Sequence, residues 1–227
     1  MKRALLIVMT AGCVLAAAGQ GYVNFNFEDA GTNTIDPSAM FLSWNVGAPG
    51  WQHAGVSSPF IGHNTVNTSG TASYFLVDSS CSSLTPIMGG YSFALINGHL
   101  SPGDPNSAFV NTWIAQIGNI PAGAESFDLD ATGGPFSVTI NNINVPMLSL
   151  GGNVFAGDVS AFAGQSLPLR IQNDSTQAGG ILLLDNLLFS PSPVPEPGSL
   201  ALLGSGLGVL IAAALRNRRK SRSSGPH

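Results

Sequence analysis

The chain has 227 residues, 44% of them hydrophobic and only 9% charged, with a formal net charge of −4. That average hides a division: from Gly21 to Pro193 eleven acidic residues face Arg170 alone, and the other basic residues sit at the two ends. An acidic body excludes nucleic-acid binding, which needs clustered Lys and Arg to neutralise phosphates, and suits divalent cations or solvation in a crowded external matrix.

Lys2 and Arg3 open the chain, Ala4 to Ala18 is an uncharged, mostly apolar run, and Ala16-Ala17-Ala18 offers small residues to signal peptidase. The pattern predicts a signal peptide over 1–20, cut between Ala18 and Gly21; the run is short for a bilayer span. Thr10-Ala11-Gly12-Cys13 partly resembles a lipoprotein processing site, with Thr10 where Leu or a similar residue is usual. Cys13 is read as discarded with the leader. Cys81 is then the only mature cysteine, no intrachain disulfide can form, and stability must come from core burial or bound ions.

Residues 21–190 are rich in Gly, Ser, Thr and Asn, with short alternating or apolar runs between turn clusters. Val23, Phe25 and Phe27 alternate with asparagines; Phe136, Val138 and Ile140 alternate with Ser137, Thr139 and Asn141; Leu167, Leu169 and Ile171 alternate with Pro168, Arg170 and Gln172. Each run puts its apolar residues on one face at period two, as a half-buried strand requires. Met40–Val46, Ser73–Val77, Tyr91–Ile96, Phe109–Ile117 and Ile181–Phe189 are further strand candidates, and Pro102–Asn106 and Gly133-Gly134-Pro135 mark turns. No segment carries a helical stripe. The reading is all-β: one antiparallel β-sandwich, jelly-roll-like.

The region opens Phe25-Asn26-Phe27-Glu28-Asp29 and closes Leu184-Asp185-Asn186-Leu187-Leu188-Phe189. These ends resemble those of galactose-binding-like jelly rolls, including carbohydrate-binding modules. The resemblance implies a structural Ca2+ near the terminal strands, with Glu28, Asp29 and Asp185 at the matching positions; calcium takes several oxygen ligands. Solvated acids beside strand ends are the alternative. Trp44 and Trp51 flank a loop-like stretch, Asn45 to Gly50, and form a candidate platform for a glycan, with burial against the sandwich as the alternative. Trp113 is read as core.

Little points to catalysis. Asp128-x-Asp130 is a pair that eleven acids produce by coincidence, and paired-carboxylate chemistry needs acids on facing elements. His53, His63 and His99 lack metal spacing, and no Gly-x-Ser-x-Gly elbow occurs. The expectation is a protein that is not an enzyme.

The C-terminal part reads as a linker over 191–198, an apolar helix over 199–215 and a basic tail over 216–227. As a helix Ser199–Leu215 spans about 25 Å, close to a bilayer core. Pro195 and Pro197 oppose helix upstream. Arg216, Arg218, Arg219 and Lys220 then hold the tail in the cytoplasm under the positive-inside rule, leaving the body outside. Val194-Pro195-Glu196-Pro197, the apolar span and the basic cluster together resemble a PEP-CTERM sorting domain. The resemblance implies a Gram-negative bacterial membrane, processing by signal peptidase and exosortase, and an association with exopolysaccharide. The expected function is that of an exported, non-catalytic surface or matrix protein; a carbohydrate-binding module is the alternative, and a glycan-active hydrolase a third reading.

Overall fold

Alternating sequences make strands because each face of the pleat can be given a different neighbour. The computed structural model describes residues 21–32, 40–53, 60–64, 70–101, 104 and 106–195. In chain order its strands are β1 (Phe41–Ser43), β2 (Gln52–His53), β3 (Phe60–His63), β4 (Ser73–Asp78), β5 (Tyr91–Ile96), β6 (Gly98–His99), β7 (Phe109–Val110), β8 (Trp113–Asn119), β9 (Ser126–Gly133), β10 (Phe136–Ile140), β11 (Ile143–Val145), β12 (Leu148–Gly151), β13 (Val154–Asp158), β14 (Ser166–Asn173) and β15 (Ile181–Ser190). One sheet has the order β1-β3-β4-β5-β15-β9-β13-β12, the other β11-β10-β14-β8-β2, and β6–β7 form a small ribbon. Pairing is antiparallel throughout except between β3 and β4. The chain divides after Ser192. The predicted signal peptide and Cys13, the helix over 199–215 and the basic tail lie outside the described residues, among which no helix is long and apolar enough to cross a membrane.

The inner faces of the two sheets supply one core. Tyr74, Leu76, Phe93, Leu95, Phe127, Leu129, Leu182 and Leu184 come from the larger sheet; Ile114, Val138, Ile140, Leu169 and Ile171 come from the smaller. Burying each such side chain is worth about 1.5–3 kcal/mol, which supplies the stability that no disulfide provides.

The sheets are also stapled at one end by two fully buried asparagines. Asn97, just after β5, donates to the carbonyls of Asn173 (2.9 Å) and Ser175 (2.7 Å) and accepts from the amide (2.7 Å) and hydroxyl (2.8 Å) of Thr112. Asn173, at the end of β14, donates to the carbonyls of Leu95 and Gly180, both at 2.9 Å, and accepts from the Ser175 amide at 3.0 Å. Both amides thus meet protein partners on both ends, which is what makes burying them tolerable.

Three strand expectations are corrected, one of them Met40–Val46, which is a strand only over β1 and continues as a helical turn at Trp44–Gly47. The opening run Val23–Phe27 is not a strand: Asn24 and Phe27 have positive φ (53° and 58°), and a 3-10 turn follows at Glu28–Thr32. Its backbone groups find scattered partners instead of a ladder: Gln116 accepts from the Val23 amide and donates to the Val23 carbonyl at 3.1 Å, and the Phe25 carbonyl accepts from the Leu187 amide at 3.0 Å. Phe25 and Phe27 are buried all the same, in a ring cluster with Trp51, Phe93 and Phe127. The run Phe109–Ile117 breaks into β7 and β8, because Thr112 between them is held by Asn97.

The segment between β4 and β5 folds over the outer face of the larger sheet, where Leu84 and Ile87 pack on Phe75, Val77, Ala94, Ile96 and Leu183. Two acids clamp it. Glu28 accepts from the amides of Gly90 (2.7 Å) and Tyr91 (3.0 Å), and buried Asp185 accepts from the Met88 amide (3.0 Å) and the Ser92 hydroxyl (2.7 Å). Gly89 sits between at φ 61°, and a Cβ there would lie 2.3 Å from Glu28 Oε1. Gly89→Ala is therefore expected to lower the stability measured by urea denaturation by about 1–3 kcal/mol; an unchanged midpoint would show that the clamp yields freely.

Candidate functional site

Alternation on the smaller sheet leaves one face to solvent. Ile114, Gln116, Leu169, Ile171, Val138 and Ile140 point inward, so Trp113, Ala115, Ile117, Arg170, Gln172, Ser137 and Thr139 point outward. Cross-strand register sets them in rows: Gln52, Ala115, Arg170, Thr139 and Asn144 form one, and Trp113, Gln172 and Ser137 the next. The hairpin joining β10 to β11 turns through Asn141 and Asn142, both at positive φ (51° and 62°), the conformation that two-residue hairpins require. Ser137, Thr139, Asn142, Arg170 and Gln172 line a recess of about 190 Å³.

Arg170 is the centre of this face. Its guanidinium lies 4.7 Å from the centroid of the Trp113 ring, a cation–π contact worth about 0.5–1 kcal/mol at an exposed site. One of its nitrogens donates to Gln172 Oε1; Gln172 in turn donates to Asp174 at 2.7 Å, and the Asp174 amide donates to the Pro135 carbonyl at 2.8 Å. This chain of contacts fixes a long side chain on the surface. Asp174 also lines a second, larger recess of about 630 Å³ between residues 133–135 and 174–181. Among the described residues Arg170 has no carboxylate at ion-pairing distance, the ion pair there being His63–Asp78. The face can therefore offer cationic and neutral N–H donors, hydroxyls and amide oxygens to a polar ligand. It presents no nucleophile–base pair.

The tryptophans singled out from sequence lie elsewhere. Trp51 is 5% exposed, stacks between Phe25 and Phe27, and donates from its indole to the Asn24 carbonyl at 3.2 Å. Trp44 is half-buried in the short helical turn Trp44–Gly47, stacked on His53 at 4.0 Å with Tyr74 at its edge. Trp51 is thus enclosed, so the two indoles do not form a paired exposed platform. Trp113, expected in the core, stands on the outer face. Glu28 and Asp185 converge on residues 88–92, and their oxygens already accept N–H and O–H donors; an ion would compete with these. Asp29 is exposed and donates its amide to Asn24. No group of three His, Cys, Asp or Glu side chains among the described residues is arranged to hold a metal. Asp128 and Asp130 lie on the outer face of β9, where burial pushes the Asp128 carboxyl up. Val194 and Pro195 follow the last strand, and Glu196 and Pro197 lie outside the described residues.

Arg170, Trp113, Gln172, Ser137, Thr139 and Asn142 were not among the candidates from sequence. Two signals bore on them: Arg170 is the lone base of an acidic region, and the alternation of 167–172 puts it opposite the core residues.

His63 and Asp78 form the other polar cluster. His63 Nε2 lies 3.0 Å from Asp78 Oδ2, while Asn64 (2.8 Å) and the Ser80 hydroxyl (2.7 Å) both donate to Asp78 Oδ1. The serine is thus spent on the carboxylate, away from the histidine. Burial works to raise the Asp78 carboxyl, but hydrogen bonds from Ser80, Asn64 and His63 outweigh it and hold it below its ordinary value.

Residues 193–220 match the PEP-CTERM protein-sorting motif. Among solved structures, CBM27-1 of Caldicellulosiruptor saccharolyticus, in complex with mannohexaose, is similar at 13% identity with a TM-score of 0.33, over 68% of this chain and 97% of that one. A search of curated proteins gives no match.

A carboxyl held low in the fold adds stability above its unfolded pKa of about 4, and that contribution is lost as pH falls through the lower folded value. Asp78→Asn should therefore be less stable than the parent at neutral pH, with the difference in urea midpoint narrowing below about pH 4. A gap that persists unchanged into acid would mean that the Asp78 charge contributes nothing.

Proposed function

We propose that this chain is an exported, non-catalytic surface protein, handled by signal peptidase and exosortase and delivered to an envelope containing exopolysaccharide. The carrying observation is the sorting motif at 193–220, which begins just after β15 ends at Ser190. Such a motif implies an exported, membrane-anchored protein processed by exosortase. The all-β body and its acidic surface suit that destination: the fold depends on core burial, and like charge keeps neighbouring copies apart. The clusters that could suggest chemistry have structural partners instead, as at Asp78 and Asp185.

A second reading, saccharide binding, is favoured by the outer face of the smaller sheet. Hydroxyl-rich ligands need donors and acceptors alternating at short spacing, and Arg170, Gln172, Ser137, Thr139, Asn142 and Asn144 supply them on a rigid support.

Processing is tested with an epitope tag after Lys220 in a host that has exosortase. The tag should be missing from the mature surface protein and retained when Pro195 and Glu196 are both replaced by alanine. A tag kept on all of the parent protein would overturn the processing reading. For the second reading, Thr139→Phe fills the recess without touching the core, and is expected to abolish co-sedimentation of the released protein with the host's own matrix polysaccharide. Undiminished co-sedimentation would exclude this face.

A further inference from the structure

Eleven acidic residues share the region 21–193 with one base, yet among the described residues none of them pairs with Arg170. Even Asp174, the acid in its own chain of contacts, acts through Gln172 and leaves the guanidinium itself without a counter-charge. A lone cation in an acidic protein lowers its energy by pairing wherever the backbone allows. Here the backbone instead holds it against Trp113 at the border of a polar recess.

We infer that Arg170 is the recognition point for a carboxylate on a saccharide, a uronic acid or its equivalent. The inference rests on the reading of this face as a saccharide site. The guanidinium fork matches a carboxylate in two parallel hydrogen bonds. Trp113 beneath it and Gln172 beside it hold it in place before the ligand arrives, so little side-chain freedom is lost on binding. Ser137, Thr139 and Asn142 then face the neighbouring hydroxyls of the same sugar. Trp113 is a positioning residue here, because its ring carries the arginine.

The charge around the site also limits the ligand. With the rest of the body acidic, a densely charged polyanion is repelled over about 10 Å at moderate salt, whereas an isolated carboxylate among neutral sugars meets Arg170 at short range. The structure therefore favours a sparsely charged saccharide over a polyuronate or a sulfated polymer. Binding of this kind has a shallow dependence on salt, as expected for one ion pair.

The test uses the full chain in non-ionic detergent and calorimetric titration with a panel of soluble oligosaccharides. Members are matched in pairs that differ only by a uronate in place of a neutral hexose, with heparin as a dense polyanion. At least one uronate member should bind about tenfold or more tightly than its neutral twin, as hydrogen bonds to a charged group predict. Arg170→Gln should remove that preference, and Arg170→Lys should keep part of it. Trp113→Ala should weaken uronate binding by more than it weakens neutral binding, and so shrink the ratio between the twins. Circular dichroism checks that each variant is folded; all three substitutions sit on a surface face, away from the core. Equal binding of uronate and neutral twins, or an unchanged preference in Arg170→Gln, would overturn the inference while leaving a saccharide site. Heparin binding tighter than any uronate member would overturn the sparse-charge assignment. No binding by any member to the folded protein would overturn both the inference and the saccharide reading.

Discussion

Two buried side-chain amides hold this sandwich in register. Asn97 and Asn173 are fully enclosed, and each reaches from the end of one sheet to backbone belonging to the other. Neither could remain there with any donor or acceptor idle, since an unpartnered buried polar group costs about 1–3 kcal/mol. Their geometry therefore dictates the paths of three segments at once: the break before β8, the turn after β5 and the loop leaving β14. Oil-like packing of the two inner faces tolerates sliding by a residue or two. A pair of amides with seven hydrogen bonds between them does not.

The outer face of the smaller sheet inherits this constraint. Asn173 fixes where β14 ends, the next residue, Asp174, orients Gln172, and Gln172 bears on Arg170. On the other side, Thr112 held by Asn97 sets the phase of β8, and that phase sends Trp113 outward beneath the guanidinium. One interior network thus places both halves of a surface contact. The face is stiff for the same reason that the core is in register.

Alternating runs foretell most of the architecture. Tyr91–Ile96 and Phe136–Ile140 are strands with the bounds that their alternation or apolarity indicates, and the core faces of β14 and β15 follow from their leucines and isoleucines. What local pattern could not tell was which partner satisfies a backbone. Val23–Phe27 alternates as a strand does, but Val23 bonds to the Gln116 side chain, ninety-three positions away, and Phe25 to the Leu187 amide, with no ladder between. The strand β9 was hidden by its own acids, because Asp128 and Asp130 occupy the outward positions of a sheet whose outer face is partly covered. The exposure of the tryptophans was misread for a related reason. Aromatic residues near Gly and Pro resemble an exposed loop, and only long-range packing shows that Trp51 stacks between two phenylalanines while Trp113 does not.

The strand β15 has a place in the sheet that its place in the chain does not suggest. It is the last strand, immediately before the sorting motif, yet it lies in the interior of the larger sheet with β5 on one side and β9 on the other. During export the amino-terminal strands emerge first and must wait as two incomplete halves, which can close only when this strand arrives between them. Were the proposed anchoring at the sorting motif to put the body under tension, the load would enter through Ser190. At that end β15 is paired with β9 alone, from Leu188 to Ser190, and the ladder to β5 starts only at Leu184, so such a load would meet the β9 ladder first, in shear rather than by peeling from an edge.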